Sequence, residues 1–169
     1  MARCAMEVLQ LTQVVFIPCR ISPHKTDTEP SAAADRLKML ELATAHLPWA
    51  SISDWETRQV GPSYSWKTAE AMKALHPDAR LFWIMGTDQW NALLRWDQPE
   101  RLASMVEFIV ICRGAFPEKL EGFTMHPVRF DHPASSTQIR KDIADGNFKE
   151  PWLDENVAEW IDQHRLYQQ

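Results

Sequence analysis

The feature that most restricts the fold of this 169-residue chain is a series of short apolar runs that alternate with longer helical patterns. Runs rich in β-branched and aromatic residues, each closed by a Pro, a Gly or a charged residue, are typical of buried strands. Because helices separate the strands, the sequence predicts an α/β fold with an open parallel sheet and helices on both faces. The predicted strands are 14–17, 50–54, 81–85, 108–112 and 128–130.

The helical patterns fall before, between and after these strands, and the first begins at residue 2 without an N-cap residue. Ser31 is the predicted N-cap of the second helix. Gly146 is the predicted C-cap of the helix at 135–145. No internal repeat, low-complexity tract or linker interrupts the chain, so we expect residues 1–169 to form one domain. The other predicted helices are 2–11, 63–75, 88–94, 99–104, 135–145 and 154–164.

Composition excludes several classes of protein. The chain has 18 Lys and Arg against 23 Asp and Glu, and its pI of about 5.7 argues against a broad nucleic-acid surface. No apolar run approaches the roughly 18–20 residues that cross a bilayer, and the start lacks the features of a signal peptide. The three cysteines are scattered and show no metal-ligand spacing. We therefore expect a reduced, cytoplasmic protein that binds neither nucleic acid nor membrane.

Polar residues follow the predicted strands, at the edge where open α/β sheets bind ligands. Each segment has a structural and a functional interpretation. Gly86-Thr87-Asp88 is either a tight capped turn or a carboxylate placed for a ribose or an adenine, and Arg113 is either an exposed charge or a ligand-binding cation. Trp96 lies in a polar stretch, where its indole is placed to stack on a flat ring. The remaining segments are 18–25, which contains Cys19, His24 and Lys25, and 54–65, which ends at Ser65.

The segment 135–140 also has two interpretations. Ser135-x-x-Gln138 fits a capping box, which is a routine way to begin a helix. Arg140 adds a cation one turn further on, beside N–H groups that already favour an anion, and Ser136 and Thr137 add hydroxyl donors. The same residues therefore suit a bound phosphate.

Taken together, these segments resemble bacterial nicotinate-nucleotide adenylyltransferases of the nucleotidyltransferase α/β superfamily, from residue 2 to Tyr167. Each motif is weak alone, but five in the same order and at compatible spacing are specific. One residue is added before Gly61, and Ser22 replaces the first of two paired prolines. The matching segments are 17–25 (I-P-x-x-x-P-P-H-K), 36–40 (R-x-x-M-L), 54–65 (D-x-E-x-x-R-x-G-P-S-Y-T), 86–88 (G-x-D) and 135–140 (S-S-T-x-I-R).

The resemblance implies a Rossmann-like fold and transfer of AMP from ATP to nicotinate mononucleotide, with Mg²⁺, which yields deamido-NAD and pyrophosphate. It also allows a homo-oligomer. It implies an ATP group, which consists of Gly86, Asp88, Ser136, Thr137 and Arg140. It further implies a mononucleotide group, with Trp96 stacked on the pyridine ring, which consists of Cys19 (through its backbone), Lys25, Ser65, Trp96 and Arg113.

The main departure from the family is at the front of the chain. The family opens with a strand and the motif G-G-x-F-D-P-x-H-x-G-H, and neither occurs in these 169 residues. The resemblance therefore assigns no catalytic residue to this chain, and it predicts a sheet without its first, central strand, whose two neighbours keep unpaired edges. Two smaller departures, Asp97 in place of an aromatic and Gly114-Ala115 in place of Pro-Gly, affect the pyridine side.

Three interpretations of function follow. In the first, Met1 is an internal methionine of an active adenylyltransferase whose missing motif lies upstream. In the second, the chain is a degenerate relative that binds nucleotides without catalysis. In the third, it is another mononucleotide adenylyltransferase, acting on nicotinamide mononucleotide or phosphopantetheine, which segments 54–65 and 23–25 argue against. In each of these cases we expect the chain as given to be a feeble catalyst.

Overall fold

The computed structural model describes residues 1–23, 31–147 and 152–168. All five predicted strands are present, each within three residues of its predicted bounds. Every pair of neighbouring strands runs parallel, which confirms the α/β class and the parallel arrangement. The strands are β1 (Val14–Phe16), β2 (Ala50–Ile52), β3 (Phe82–Gly86), β4 (Glu107–Cys112) and β5 (Met125–Arg129).

The predicted helices are also present, and no helix in the described part of the chain has the length and apolarity that crossing a membrane requires. A 3₁₀ turn, Leu93–Arg95, follows α5. The helices are α1 (Ala2–Leu9), α2 (Ala33–Thr44), α3 (Trp55–Arg58), α4 (Ser65–Leu75), α5 (Thr87–Ala92), α6 (Pro99–Ala103), α7 (Ser136–Ala144) and α8 (Glu155–Gln163).

The short helix α3 was not predicted, because its four residues lie in a segment that reads as loop from its Gly-Pro end. Local contacts hold it. Arg58 Nε donates to Asp54 Oδ2 at 2.7 Å, and the Thr57 hydroxyl donates to the Asp54 carbonyl at 2.7 Å. Such contacts stabilise one turn without any apolar period that a sequence pattern would register.

The strands form two sheets rather than one. β1 pairs with β2, whereas β3, β4 and β5 form a second sheet in that order. Among the described residues, β1 and β3 do not pair with each other, and each has a neighbour on one side alone. Both strands line the same cavity, so their open edges face a common space. This matches the expectation of two strands that lack a central neighbour.

The core surrounds β4, whose side chains alternate between two helical layers. On one face, Phe108, Val110 and Cys112 pack with residues of α4, α5 and α6, and the Trp90 and Phe108 rings meet edge to face at 5.6 Å. On the other face, Ile109 and Ile111 pack with Ala5 of α1. Helices therefore cover both faces of the β3–β5 sheet, as the sequence pattern indicates.

A third apolar cluster joins α2, α7 and α8. Two of the predicted helix ends belong to these helices. The Ser31 hydroxyl lies 3.1 Å from the Tyr167 hydroxyl, and α2 has Ala32 at its N-cap, so the Ser31 cap was wrong. The prediction that Gly146 ends α7 is confirmed. It follows the C-cap with φ +81°, and its N–H donates to the Ile143 carbonyl at 3.0 Å in a Schellman turn.

Candidate functional site

A cavity of about 890 Å³ lies between the open edges of β1 and β3. It continues to the carboxyl ends of these strands, where its lining includes Cys19, Ser65 and Trp96 from the predicted mononucleotide group. Three residues that are distant in the sequence thus share one concave surface, at the end of the sheet where α/β proteins bind ligands.

Hydrogen bonds hold the loop after β1 against the start of α4. The Arg20 N–H donates to the Ser63 hydroxyl at 2.9 Å, and the Ser63 N–H donates to the Ile21 carbonyl at 2.9 Å. The Arg36 guanidinium donates to the Cys19 carbonyl and, at 3.0 Å, to the Ser31 carbonyl. These contacts explain why the segment containing Cys19 lies beside Ser65, and they give Arg36 an organising role.

Ser65 is the first residue of α4, an eleven-residue helix that begins at the cavity. Its N-cap, Tyr64, makes no side-chain hydrogen bond to the helix. Backbone N–H groups in the first turn are therefore not capped by that side chain, and the helix dipole favours an anion there.

The buried pair of Glu56 and Thr68 is absent from the site residues predicted from the sequence. Glu56 is 6% exposed and lines the cavity, and Thr68 of α4 is fully buried. The Thr68 hydroxyl donates to Glu56 Oε1 at 2.5 Å, which joins α3 to α4 beneath the site. The acidic position within segment 54–65 is the signal that could have identified this pair.

Trp96 lies in the turn between the 3₁₀ turn and α6, and its N–H donates to the Leu93 carbonyl at 2.9 Å. The half-buried indole packs against the cluster around β4 and also lines the cavity. Core packing thus fixes a flat aromatic ring at the cavity wall, which suits it for stacking on a planar ligand.

In the predicted ATP group, Gly86 ends β3 and the exposed Asp88 lies in the first turn of α5. A Cβ at position 86 would lie 2.7 Å from Asp88 Oδ1, so a side chain there would displace this carboxylate. Gln89 donates to Asp88 Oδ2 at 3.0 Å and also lines the cavity. Asp88 is therefore next to the cavity.

The other members of the ATP group lie in the first two turns of α7. The Ser135 hydroxyl accepts from the Gln138 N–H at 3.4 Å, but the Gln138 side chain donates to Asp142 at 2.8 Å, so only half of the predicted capping box forms. Arg140 Nη2 donates to the Ser136 hydroxyl at 3.4 Å. Ser136, Thr137 and Arg140 are all exposed at this helix start.

The structure does not gather the whole mononucleotide group. Arg113 is absent from the cavity lining, and its Nη2 lies 3.5 Å from the Ala134 carbonyl, near the start of α7. Its guanidinium is thus beside the α7 members of the ATP group rather than beside Trp96. His24 and Lys25 lie outside the described residues.

A carboxyl group with a strongly lowered pKa lies at the opposite end of the sheet. Glu107 is the first residue of β4, and Arg80 donates to it at 2.6 Å while His126 Nε2 lies 2.5 Å away. The Arg80 hydrogen bond, aided by His126, lowers the pKa of Glu107 to about 2. Arg80 also lines the cavity, but this cluster lies where β3 and β4 begin, away from the end of the sheet that carries Cys19, Ser65 and Trp96. Within the described ranges, no three His, Cys, Asp or Glu residues are grouped to hold a metal.

Comparison with known proteins identifies the family and the fold. A probable nicotinate-nucleotide adenylyltransferase of Geobacillus thermodenitrificans is 34% identical over 171 residues, covering 99% of this chain and 77% of that protein. The corresponding protein of Thermus thermophilus is 32% identical, covering 96% of this chain and 87% of that protein. The structure of Plasmodium falciparum nicotinic acid mononucleotide adenylyltransferase complexed with NaAD superposes with a TM-score of 0.71.

That structure is 20% identical, and the match covers 98% of this chain and 91% of the other, so it shows the shared Rossmann-like fold. The cytidylyltransferase-like family profile matches residues 1–142, which include both strand edges of the cavity and the start of α7. The fold, the family profile and the two relatives thus agree, and the chain belongs to the nicotinate-nucleotide adenylyltransferase family of cytidylyltransferase-like proteins.

Proposed function

We propose that this chain binds ATP and nicotinate mononucleotide side by side and serves the transfer of AMP between them, which forms deamido-NAD and pyrophosphate. The observation that carries the proposal is the cavity that gathers Cys19, Ser65 and Trp96 and adjoins Asp88 through Gln89. Two adjacent subsites are what a reaction between two nucleotides requires.

On the ATP side, the Asp88 carboxylate accepts hydrogen bonds from the ribose or adenine, next to a glycine that leaves room for it. Arg140 and the start of α7 bind phosphate oxygens, because a guanidinium and helix N–H groups both favour anions. Ser136 and Thr137 add hydroxyl donors at that helix start.

On the mononucleotide side, Trp96 stacks on the pyridine ring. Ser65 and the first turn of α4 bind the pyridine carboxylate, which favours nicotinate over the uncharged nicotinamide. Lys25 and Arg113 provide cations for the mononucleotide, and the Arg113 position near α7 directs that cation towards the boundary with ATP.

Divalent metal with ATP is general among nucleotidyltransferases of this family, and we propose Mg²⁺ as the ion. Mg²⁺ is commonly held by one or two carboxylates together with substrate phosphates. Asp88 is assigned to the ribose or adenine, and no three His, Cys, Asp or Glu side chains are grouped among the described residues, so the ion would be held mainly by phosphate oxygens and water that arrive with the nucleotide. The ion would neutralise part of the phosphate charge.

In the transfer, a phosphate oxygen of the mononucleotide attacks the α-phosphorus of ATP. The bond from that phosphorus to the bridging oxygen of the β-phosphate breaks, and pyrophosphate leaves. The residues in this chain bind and orient the reactants, which supplies much of the catalysis in phosphoryl-type chemistry. The alternative, a nucleotide-binding relative without turnover, predicts ATP binding without pyrophosphate release even when the family's opening strand and G-G-x-F-D-P-x-H-x-G-H motif are supplied ahead of residue 1.

The test measures binding of ATP and of nicotinate mononucleotide to the full chain by calorimetry, together with pyrophosphate release. We expect Asp88→Ala and Arg140→Ala to weaken ATP binding about tenfold or more, since each removes a charged hydrogen-bonding group. Trp96→Ala should instead weaken mononucleotide binding more than ATP binding.

Lys141→Ala is the matched control for Arg140→Ala, because it removes a neighbouring exposed cation from the same helix. Asp78→Ala is the matched control for Asp88→Ala, because it removes an exposed carboxylate that precedes β3, at the opposite end of the sheet. Both controls should bind as the wild type does. Equal losses for both nucleotides, or variants that are largely unfolded in thermal melts, would contradict the assigned roles.

A further inference from the structure

Asp97 lines the cavity but belongs to neither predicted group. Its exposed carboxylate accepts a hydrogen bond from the Trp66 indole Nε1 at 2.6 Å. Trp66 is the second residue of α4 and directly follows Ser65, whereas Asp97 directly follows Trp96. The hydrogen bond therefore joins two segments that each carry one residue of the mononucleotide group.

Further contacts hold Trp66 in place. The guanidinium of Arg101, on α6, lies 3.9 Å from the centre of the Trp66 ring. That guanidinium is in turn paired with Glu70 on α4 at 2.6 Å. The indole also packs against the apolar cluster around β4. With one face covered by a cation and its N–H directed at Asp97, the ring has a defined orientation.

We propose that Asp97 is a positioning residue for the mononucleotide: by holding Trp66, it sets the distance between Ser65 at the start of α4 and Trp96 in the turn before α6. This inference rests on the proposed function. Asp97 acts through Trp66 and through its own turn. Asp97 is suited to this task because its side-chain oxygen accepts from the Trp66 indole N–H and because it directly follows Trp96 in the turn.

The consequence is a specific dependence on two functional groups. The acceptor oxygen at position 97 and the donor N–H at position 66 act as one unit, so removing either loses the same constraint. The net charge of Asp97 is secondary, because an amide oxygen at the same position also accepts from the indole. ATP binding, which uses α5 and α7, is independent of this contact.

The experiment measures binding of nicotinate mononucleotide and of ATP to the full chain by calorimetry. We expect Asp97→Ala to weaken mononucleotide binding about tenfold, as expected for loss of a charged hydrogen bond that orients a site, with ATP binding unchanged. Asp97→Asn should retain most of the affinity. Trp66→Phe should match Asp97→Ala, and the double variant should lose no more than either single variant.

Glu100→Ala is the matched control, because it removes an exposed carboxylate from α6 without touching Trp66. The hydrogen bond between Trp66 and Asp97 is measured in the ligand-free, ¹⁵N-labelled protein by the indole N–H resonance of Trp66. The loss of one resonance in Trp66→Phe identifies it. This resonance should move upfield in Asp97→Ala and stay near its place in Asp97→Asn and Glu100→Ala.

The outcomes separate the two proposals. A wild-type chain that binds ATP but no mononucleotide overturns the proposed function and the inference with it. A wild-type chain that binds both, with Asp97→Ala unchanged, overturns the inference alone. So do an Asp97→Asn variant as weak as Asp97→Ala, losses that add in the double variant, or an equal loss of ATP binding.

Discussion

The two sheets of this protein differ in how completely their strands are covered. In the β3–β5 sheet, the central strand β4 has five consecutive residues that are at most 4% exposed, from Phe108 to Cys112. In the β1–β2 pair, Val14 is buried at 8% exposure, and every residue of β2 is partly exposed. Both sheets have the same parallel pairing, so strand geometry is not the cause.

The cause is the number of neighbours. β4 has a strand on each side and helices on both faces, whereas β1 has a strand on one side and a cavity on the other. Because hydrophobic stabilisation grows with the apolar area removed from water, most of it comes from the β3–β5 sheet. The open edge of β1 lines the cavity instead.

The largest expected effect tests this contrast directly. Phe108→Ala should lower the free energy of unfolding by about 3–5 kcal/mol, since it leaves a cavity in a fully buried cluster. Phe16→Ala, in half-buried β1, should lower it by less than about half as much, because part of that ring is already in contact with water. Urea unfolding measures both. Equal losses would show that the two sheets form one equally packed core.

An intermediate effect is expected at the buried pair that supports the cavity. Thr68→Val keeps the side-chain shape but removes the hydroxyl that donates to Glu56, so unfolding should become easier by about 1–3 kcal/mol. Thr44→Val is the matched control, because its hydroxyl donates to the Leu40 carbonyl within α2 and to no buried carboxylate. If Thr44→Val lowers the free energy of unfolding as much as Thr68→Val does, the hydrogen bond to Glu56 has no special role in stability.

The smallest effect is the pH dependence of stability that Glu107, the first residue of β4, contributes. The pKa of Glu107 is lowered to about 2 by Arg80 and His126, so its contribution is fully present above its ordinary pKa near 4.5. That contribution is lost as the pH falls from about 4.5 towards 2, and it should be below about 1 kcal/mol because the pair is partly exposed.

Thermal melts of the wild type and of Glu107→Gln at pH values from 2 to 7 measure this contribution. The two melting temperatures should differ most at neutral pH and converge at the acid end. Glu121→Gln changes an exposed residue between β4 and β5, and its melting temperature should match that of the wild type at every pH. A Glu107→Gln variant whose deficit grows as the pH falls would contradict the sign.

The strands were predictable because short β-branched runs such as Val14–Phe16 carry their own signal. The C-terminal end of α7 was predictable as well, because Gly146 supplies the positive φ that this turn needs. The Ser31 cap was not, because the hydroxyl pairs with Tyr167, which is 136 positions away in the sequence. The Gln138 half of the capping box failed for a similar reason, since Asp142 one turn later competes for the side chain.

The candidate site divides in the same way. The residue types that follow each strand indicated where a ligand binds, and Cys19, Ser65 and Trp96 line one cavity as that interpretation requires. The resemblance left Asp97 as an unexplained departure, and its contact with Trp66 became visible in the structure alone. Nothing in the local sequence pairs these two residues, because they lie 31 positions apart on separate elements.

The sequence by itself determined the parallel α/β class, the order of the elements and the edge of the sheet where polar residues gather. These properties depend on local periodicity and on where each strand ends, which neighbouring residues encode. The tertiary structure alone decided that Glu56 is buried against Thr68 and that Asp97 accepts a hydrogen bond from Trp66. Each of these depends on which distant segments come into contact, and long-range packing sets that.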